Sequence, residues 1–306
     1  MTYAISTKEL SRKFGDFTAV DRLTLDIKTG EVCGFLGPNG AGKSTAIRML
    51  CGILEPSSGN AQVLGYDLLQ ETEKIKVSLG YMSQKFSLYD DLTVFENLDF
   101  YAGLYSIPSR KRRNRIDEML EMAALQGKEN ERVAVLSQGF KQRLALGCAI
   151  ISRPSLIFLD EPSSGVSPAS RRVFFNIIQE LANQGATVIV TTHFMDEAER
   201  CDKIAFFNNG KLMAADSPDF LKRTVLDGYL CQLEISDPVG KINEIQSLPF
   251  VKECSLHGLL LHVLLYRQAD TVALTDFTGV EALPITPTLE DVFIALARKK
   301  EQGELA

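Results

Sequence analysis

The chain lacks the features that mark a membrane-spanning, secreted or nucleic-acid-coating protein. No apolar run approaches the roughly 18 residues of a membrane-spanning helix. The longest candidates, around Ala149–Ile151 and Leu259–Leu265, are short, and His262 interrupts the second. Met1 to Leu10 has no basic segment followed by an apolar stretch, so no secretory leader is expected. Positive charge is not in excess. Lys and Arg number 33 against 39 Asp and Glu, a net charge of −6. That argues against a chain that works mainly by wrapping nucleic acid, while leaving room for a local basic patch. None of the six cysteines is paired as C-x-x-C, and most have apolar neighbours. Reduced, buried thiols in a cytosolic protein are expected. There is no internal repeat.

What is there is ordinary globular material. Hydrophobic residues make up 45% and charged residues 24% of the 306, which excludes disorder, collagen and coiled coil and suggests about two domains. Short β-rich stretches open the chain at Tyr3–Ser6, Leu23–Ile27 and Val32–Leu36. A helical pattern follows, with Ala46, Ile47, Leu50, Ile53 and Leu54 on one face, and Pro56-Ser57-Ser58-Gly59 ends it. Leu156–Leu159 and Thr187–Thr191 read as buried strands, each preceded by a helical stretch. Strands alternating with helices predict an α/β fold with a largely parallel sheet. Ala205–Phe207 and Leu212–Ala214 flank Asn208-Asn209-Gly210, a hairpin signal. From about Tyr89 to Ile151 the chain reads as helical throughout, an all-α insertion. From residue 228 the pattern changes. Cys231, Leu233 and Ile235 alternate with polar residues, Leu256–Tyr266 reads as one strand, and a last helix begins near Thr286-Pro287 with Leu289, Val292, Phe293 and Leu296 on one face. Residues 228–306 are therefore expected to form a small α+β domain.

One motif carries most of the chemistry. Gly37-Pro38-Asn39-Gly40-Ala41-Gly42-Lys43-Ser44 fits G-x-x-x-x-G-K-[ST], after a strand and at the start of a helix. Its glycines let backbone N–H groups wrap phosphate oxygens, and the helix N-terminus adds partial positive charge. Lys43 is expected on the β- and γ-phosphates of a nucleoside triphosphate, and Ser44 on Mg²⁺. Downstream, Leu156–Leu159 ends in Asp160-Glu161. A buried strand delivers those carboxylates to the sheet's C-terminal edge, where Asp160 would hold Mg²⁺ and Glu161 would polarise the attacking water. His193, after the strand Thr187–Thr192, reads either as a γ-phosphate contact or as a structural residue. Gln84 could sense the metal or water. Phe14 could stack on a base or belong to the core.

The order of these motifs resembles the nucleotide-binding subunit of an ATP-binding cassette (ABC) transporter, over about residues 1–222. Phe14 matches that family's adenine-stacking aromatic, Gly37–Ser44 its Walker A loop, Gln84 its Q-loop, Leu156–Glu161 its Walker B strand with the catalytic glutamate, and His193 its switch histidine. The family's L-S-G-G-Q signature reads here Leu136-Ser137-Gln138-Gly139-Phe140, and its S-G-L-D loop reads Ser164-Gly165-Val166-Ser167. Gln138 thus replaces a glycine, and Ser167 stands where Asp is expected. Both departures fall on the family's dimer face and bear on the strength or symmetry of hydrolysis. Pro287-Thr288-Leu289-Glu290-Asp291-Val292-Phe293, with Tyr81–Gln84 and Leu88–Val94, is similar to the drug-export (daunorubicin-resistance-like) class.

The resemblance implies a P-loop NTPase fold of ABC type. It has an N-terminal antiparallel β-subdomain, an inserted α-helical subdomain at about residues 89–151, and here an accessory domain over 228–306. It implies ATP and Mg²⁺ as ligands. Phe14, the Gly37–Ser44 loop with Thr45, Gln84, Ser137 and Gly139 would contact nucleotide; Ser44, Gln84 and Asp160 would serve the metal; Lys43, Glu161 and His193 would be catalytic. It implies a second nucleotide-binding subunit, identical or different, and a membrane permease on a separate chain, with this chain on the cytoplasmic face of the membrane. The expected function is to energise an exporter, of drugs or other hydrophobic compounds. The alternatives are a non-transport ABC ATPase acting on ribosomes or nucleic acid, and a weakly hydrolysing regulatory cassette. No nucleic-acid partner is expected. The run Arg110-Lys111-Arg112-Arg113-Asn114-Arg115 reads either as a solvated helix start or as a contact for anionic lipid headgroups.

Overall fold

The computed structural model describes residues 2–84 and 88–301. The chain divides into two compact units, with the boundary between Ser217 and Pro218.

The first unit is built on a six-stranded sheet. Its order is Lys211–Asp216, Lys203–Asn208, Val32–Leu36, Thr187–Thr192, Leu156–Leu159 and Leu79–Met82. Every neighbour pair is parallel except the terminal hairpin, where Lys211–Asp216 runs antiparallel to Lys203–Asn208. Asn209 and Gly210 turn that hairpin with φ of 49° and 75°, the left-handed conformation that such a two-residue turn needs. All five residues of Val32–Leu36 and all four of Leu156–Leu159 are buried. A strand covered on both faces must be apolar without alternation, which is why both were legible as continuous runs.

A second, antiparallel sheet pairs Phe17–Lys28, Tyr3–Phe14, Ser58–Val63 and Tyr66–Asp67 in that order. Leu23, Leu25 and Ile27 are buried while Arg22, Thr24, Asp26 and Lys28 are not. The first two strands are each 12 residues long, well beyond the apolar segments expected. Their outward faces are polar, and bulges break the register between Thr7 and Lys13, so alternation is lost along much of their length. The two sheets share one core, in which Ile5, Leu25, Ile47, Phe35, Phe158 and Phe207 are fully or almost fully buried. The Phe35 and Phe207 rings lie 4.9 Å apart.

Two sequence expectations change here. The helix after the glycine-rich loop spans only Lys43–Leu50. Gly52, at φ 69°, reverses the chain, and the Ile53 and Leu54 amides both donate to the Arg48 carbonyl. This glycine-driven stop leaves Ile53 57% exposed instead of on the buried face. The insertion is also not helical throughout. It consists of helices Val94–Leu104, Ser109–Met122 and Gln138–Ile150 with a short 3₁₀ turn at Val133–Val135. Pro108 separates the first two, and Ala124 and Gly127, both at positive φ, carry the chain out of the second. Thr93 and Glu96 form a complete capping box at the start of Val94–Leu104.

The second unit holds a four-stranded antiparallel sheet ordered Val251–His257, Leu260–Leu265, Tyr229–Leu233 and Leu283–Pro284. Residues 256–266, expected as one strand, contain the turn of a hairpin. Gly258, at φ 63°, makes the reversal between His257 and Leu260. The sheet's core includes Cys231, Leu233, Val263, Leu265 and Leu274. The last helix, Leu289–Glu301, is capped by Thr288, whose hydroxyl and amide both donate to Asp291. Leu289, Val292 and Leu296 are buried as expected, while Phe293 is half-buried. All six cysteines are buried and unpaired, as free thiols. Among the described residues no helix is long and apolar enough to cross a membrane.

Candidate active site

The glycine-rich loop leaves the central strand Val32–Leu36 and enters the helix Lys43–Leu50. Gly42 sits at φ 100°, and a Cβ placed there would fall 2.4 Å from the Ala19 carbonyl oxygen. Gly37 is as confined, since its Cβ would meet the Phe207 carbonyl oxygen at 2.2 Å. Backbone therefore packs behind the loop, and its opposite side is left to ligand. The amides of Lys43, Ser44 and Thr45 lie in the first helical turn, where N–H groups have no intrahelical acceptor. No acidic residue sits in that turn to compete with an anion.

Lys43 is 3% exposed. Its Nζ donates to the carbonyls of Gly37 at 2.7 Å and Pro38 at 3.0 Å, and lies 3.9 Å from Glu161 Oε1. Burial pushes its pKa down, and the charges of Glu161 and Asp160 oppose that shift. A cation is thus carried inside the loop against its burial, which suits a site for a multiply charged anion.

The two acids at the end of Leu156–Leu159 face this loop from the same sheet edge. Asp160 is 1% exposed, and its Oδ1 accepts from Ser44 Oγ at 2.7 Å and from Thr191 Oγ1 at 2.9 Å. Thr191 Oγ1 in turn accepts from the Glu161 amide at 2.7 Å. One threonine hydroxyl thereby fixes both acids. Glu161 has φ 47°, an uncommon value for a residue with a Cβ. Such strain is stored where the surrounding structure over-determines it. Here it turns the carboxylate towards Lys43, and Gln84 Nε2 donates to its Oε2 at 2.9 Å. Hydroxyl and carboxylate oxygens side by side are the hard donors that Mg²⁺ selects, so Ser44 and Asp160 fit that ion.

The structure thus joins Lys43, Ser44, Gln84, Asp160 and Glu161 into one constellation. The remaining expected residues stand outside its hydrogen bonds. Phe14 is 47% exposed with the Arg12 guanidinium 4.6 Å from its ring, so the core alternative for it is excluded. His193 is also exposed, its ring 4.1 Å from that of Phe194. Ser137 is the N-cap residue of Gln138–Ile150, yet its side chain makes no capping bond. Gln138 is exposed. Gly139 has a reason within its own chain, because a Cβ there would meet Ser170 Oγ at 2.8 Å. Ser167 caps the helix Pro168–Asn183, accepting from the Ser170 amide at 3.3 Å with Pro168 at the first helical position. Serine and aspartate are equally good in that place, which gives the departure at Ser167 a local physical account.

Sequence reasoning missed two residues. Thr191 was visible as a hydroxyl inside an otherwise buried strand, but its bridging role needed the neighbouring strand. Gln142 is fully buried and its Nε2 donates to the Pro162 carbonyl, tying Gln138–Ile150 to the segment after Glu161. Its only signal was a polar residue on an apolar helix face.

Other candidate clusters are weaker. A cleft of about 790 Å³ is lined by Arg115, Pro154, Ser155, Gly185 and Ala186 among others. It lies at the strands' N-terminal ends, away from the edge where α/β sheets bind nucleotides. In the second unit His257, His262 and Asp291 bring potential ligand atoms within 4.8 Å of one another. The imidazoles stack at 3.8 Å with planes 11° apart, and His262 Nδ1 bonds to Asp291 Oδ1 at 2.8 Å. Lone pairs held in two parallel planes do not converge on one ion, so the trio acts as a hydrogen-bonded anchor for the last helix.

Comparison with known proteins adds to this geometry. A family model described as ABC transporter matches residues 20–164. The chain is 50% identical over 218 residues to a probable multidrug ABC transporter ATP-binding protein, YbhF, of Escherichia coli (strain K12). The match takes in 71% of this chain and 38% of that protein, so the chain spans well under half the length of that relative. It is 34% identical over 301 residues to a Nod factor export ATP-binding protein I of Rhizobium etli, covering 97% of this chain and 94% of that one. Among solved structures, a dimeric post-hydrolysis state of the ATP-binding cassette MJ0796 bound to ADP and Pi superposes with a TM-score of 0.64 at 26% identity, over 70% of this chain and 98% of that one.

Proposed function

The chain belongs to the ATP-binding proteins of the ABC transporter family, and from that premise we propose that it binds and hydrolyses ATP to energise an exporter. The observation that carries the reading is the buried Lys43 facing Glu161, with Asp160 bonded to Ser44 beside them. The loop amides and Lys43 hold the β- and γ-phosphates. Ser44 and Asp160, with Gln84 close by, would hold Mg²⁺, which would supply charge neutralisation for the phosphates. Glu161 orients water for attack, and the Gln84 amide keeps its carboxylate turned to the site. His193 reaches the γ-phosphate from the adjoining strand, and Phe14 offers an exposed ring to the base. Ser137 and Gly139, at a helix N-terminus with an unused hydroxyl, serve the nucleotide held by a second subunit.

That division of labour calls for a dimer and for a permease on a separate chain, which sets this protein on the cytoplasmic face of the membrane. Relatives named for multidrug and Nod factor export support the exporter reading. Hydrophobic compounds are the proposed cargo class. Three residues of the basic run are engaged within the chain, while Arg110 and Lys111 are exposed. Arg112 donates to the Ile107 carbonyl, Arg113 pairs with Asp117, and Arg115 donates to the Ile150 and Ile151 carbonyls. The cap at Ser167 likewise removes one reason for reading the chain as a weakly hydrolysing cassette.

Affinity-tagged protein drawn from detergent-solubilised native membranes tests the transport half of the proposal. A multi-spanning membrane protein is expected to come down in fixed stoichiometry. Recovery of ribosomes or RNA instead would sink it.

A further inference from the structure

The segment after His193 carries a carboxyl that the reaction, as described, does not use. Glu197 lies in the four-residue helix Met195–Ala198 and is 2% exposed. Its Oε2 accepts a hydrogen bond from Thr192 Oγ1, and the Ser163 hydroxyl lies near enough to favour its ionised form. Thr192 Oγ1 also accepts from the Phe194 amide at 3.0 Å. That bond commits the threonine's proton to Glu197. The other carboxyl oxygen, Oε1, is buried with no partner. A buried unpaired acceptor is costly, and a glutamate is a costly way to fill a core position.

The residues beside it explain the expense. Thr192 immediately precedes His193, and Ser163, itself 2% exposed, follows Glu161 by two positions. One carboxyl therefore grips the loop bearing His193 and stands beside the loop leaving Glu161. Arg171 and Asp196 are the charged groups that face it. The Arg171 guanidinium lies 4.0 Å from the Phe194 ring and 3.4 Å from Asp196 Oδ1. Burial raises the Glu197 pKa, against the pull of the Ser163 and Thr192 hydroxyls and Arg171.

We propose that Glu197 is a positioning residue for hydrolysis, holding the His193 loop in place through Thr192, beside the segment after Glu161. The inference rests on the ATPase reading above. The parallel ladder between Leu156–Leu159 and Thr187–Thr192 ends at the pair Leu159 and Val190, so beyond it side-chain bonds help to hold the His193 loop. An error of about 1 Å between catalytic groups costs roughly a hundredfold in rate. Glutamine keeps an acceptor oxygen of the same reach, while alanine removes it.

The test is steady-state ATP turnover and ATP affinity measured separately on the full chain. Glu197→Ala is expected to lower kcat roughly 10- to 100-fold with ATP affinity within about twofold of wild type. Glu197→Gln is expected to recover most of the rate. Thr192→Val removes the donor and leaves the carboxyl, so it should lower kcat without changing ATP affinity. It keeps the question open to measurement if Glu197→Ala does not fold. A wild-type kcat in Glu197→Ala, or in Thr192→Val, overturns the inference. So does a Glu197→Gln variant as slow as Glu197→Ala. Glu161→Gln run alongside separates the two claims. If wild type hydrolyses ATP and Glu161→Gln does not, the ATPase reading stands whatever Glu197 does. A wild type that does not hydrolyse ATP overturns both.

Discussion

Ser167 stands where the family's pattern has aspartate, and its hydroxyl caps the helix Pro168–Asn183. Replacing it with alanine should destabilise the first unit by about 1 kcal/mol, and with aspartate by no more than a few tenths. Urea midpoints at constant slope would show the difference; equal midpoints for alanine and serine would contradict the capping account. His257 makes a prediction about pH. Burial, foremost, holds its pKa below the ordinary value, the neighbouring His262 pushes the same way, and Asp291 and Glu290 oppose it. The folded state then binds fewer protons than the unfolded chain, whose histidine titrates near about 6.5. Stability must fall as pH drops through about 6.5 towards the folded value, and be insensitive to this group above it. His257→Asn is expected to flatten that fall between pH 7 and 5, read as urea midpoints; an unchanged slope would refute it. At this scale much was legible. Lys43, Ser44, Asp160 and Glu161 declare themselves because phosphate and metal chemistry need those residue types at fixed places along a strand–loop–helix. Thr191, Gln142 and Glu197 do not, because a buried polar residue acquires meaning only from the partner that satisfies it.

The elements show how local choices hold the site. Arg115 sits inside a basic run that sequence leaves open between solvent and lipid. The structure spends it on the far end of the helix Gln138–Ile150. Its Nε donates to the Ile151 carbonyl at 2.6 Å and its Nη2 to that of Ile150 at 2.9 Å, while Glu118 pairs with Nη1. A cation there satisfies orphan carbonyls and complements the helix dipole. Arg115→Ala should therefore destabilise the first unit by about 2 kcal/mol, and lysine should restore only part, having no planar fork. A thermal or urea unfolding series decides it, and an alanine variant as stable as wild type would show the bonds to be incidental. The same scale explains the misread boundaries. Strands buried on both faces, Val32–Leu36 and Leu156–Leu159, were read to the residue. The long edges of Tyr3–Phe14 and Phe17–Lys28 were not, since bulges and polar outer faces erase their period. Single residues, Gly52 and Gly258, turned an expected helix end and an expected strand into reversals.

Across the whole molecule, the change in pattern predicts a cassette to about residue 222 and a tail domain over 228–306, and the structure divides the chain into two compact units between Ser217 and Pro218. The first unit holds every residue of the proposed site, including the Ser137–Gly139 segment proposed above to serve a second subunit. The central claim is that Glu161, strained at φ 47° and held by Gln84, activates water against ATP bound on Lys43. Steady-state phosphate release by the purified chain, with ATP binding followed in parallel, tests it most directly. The account predicts Mg²⁺-dependent turnover in wild type that falls by at least about a hundredfold in Glu161→Gln while ATP binding is retained. Turnover at the wild-type rate in Glu161→Gln would contradict it.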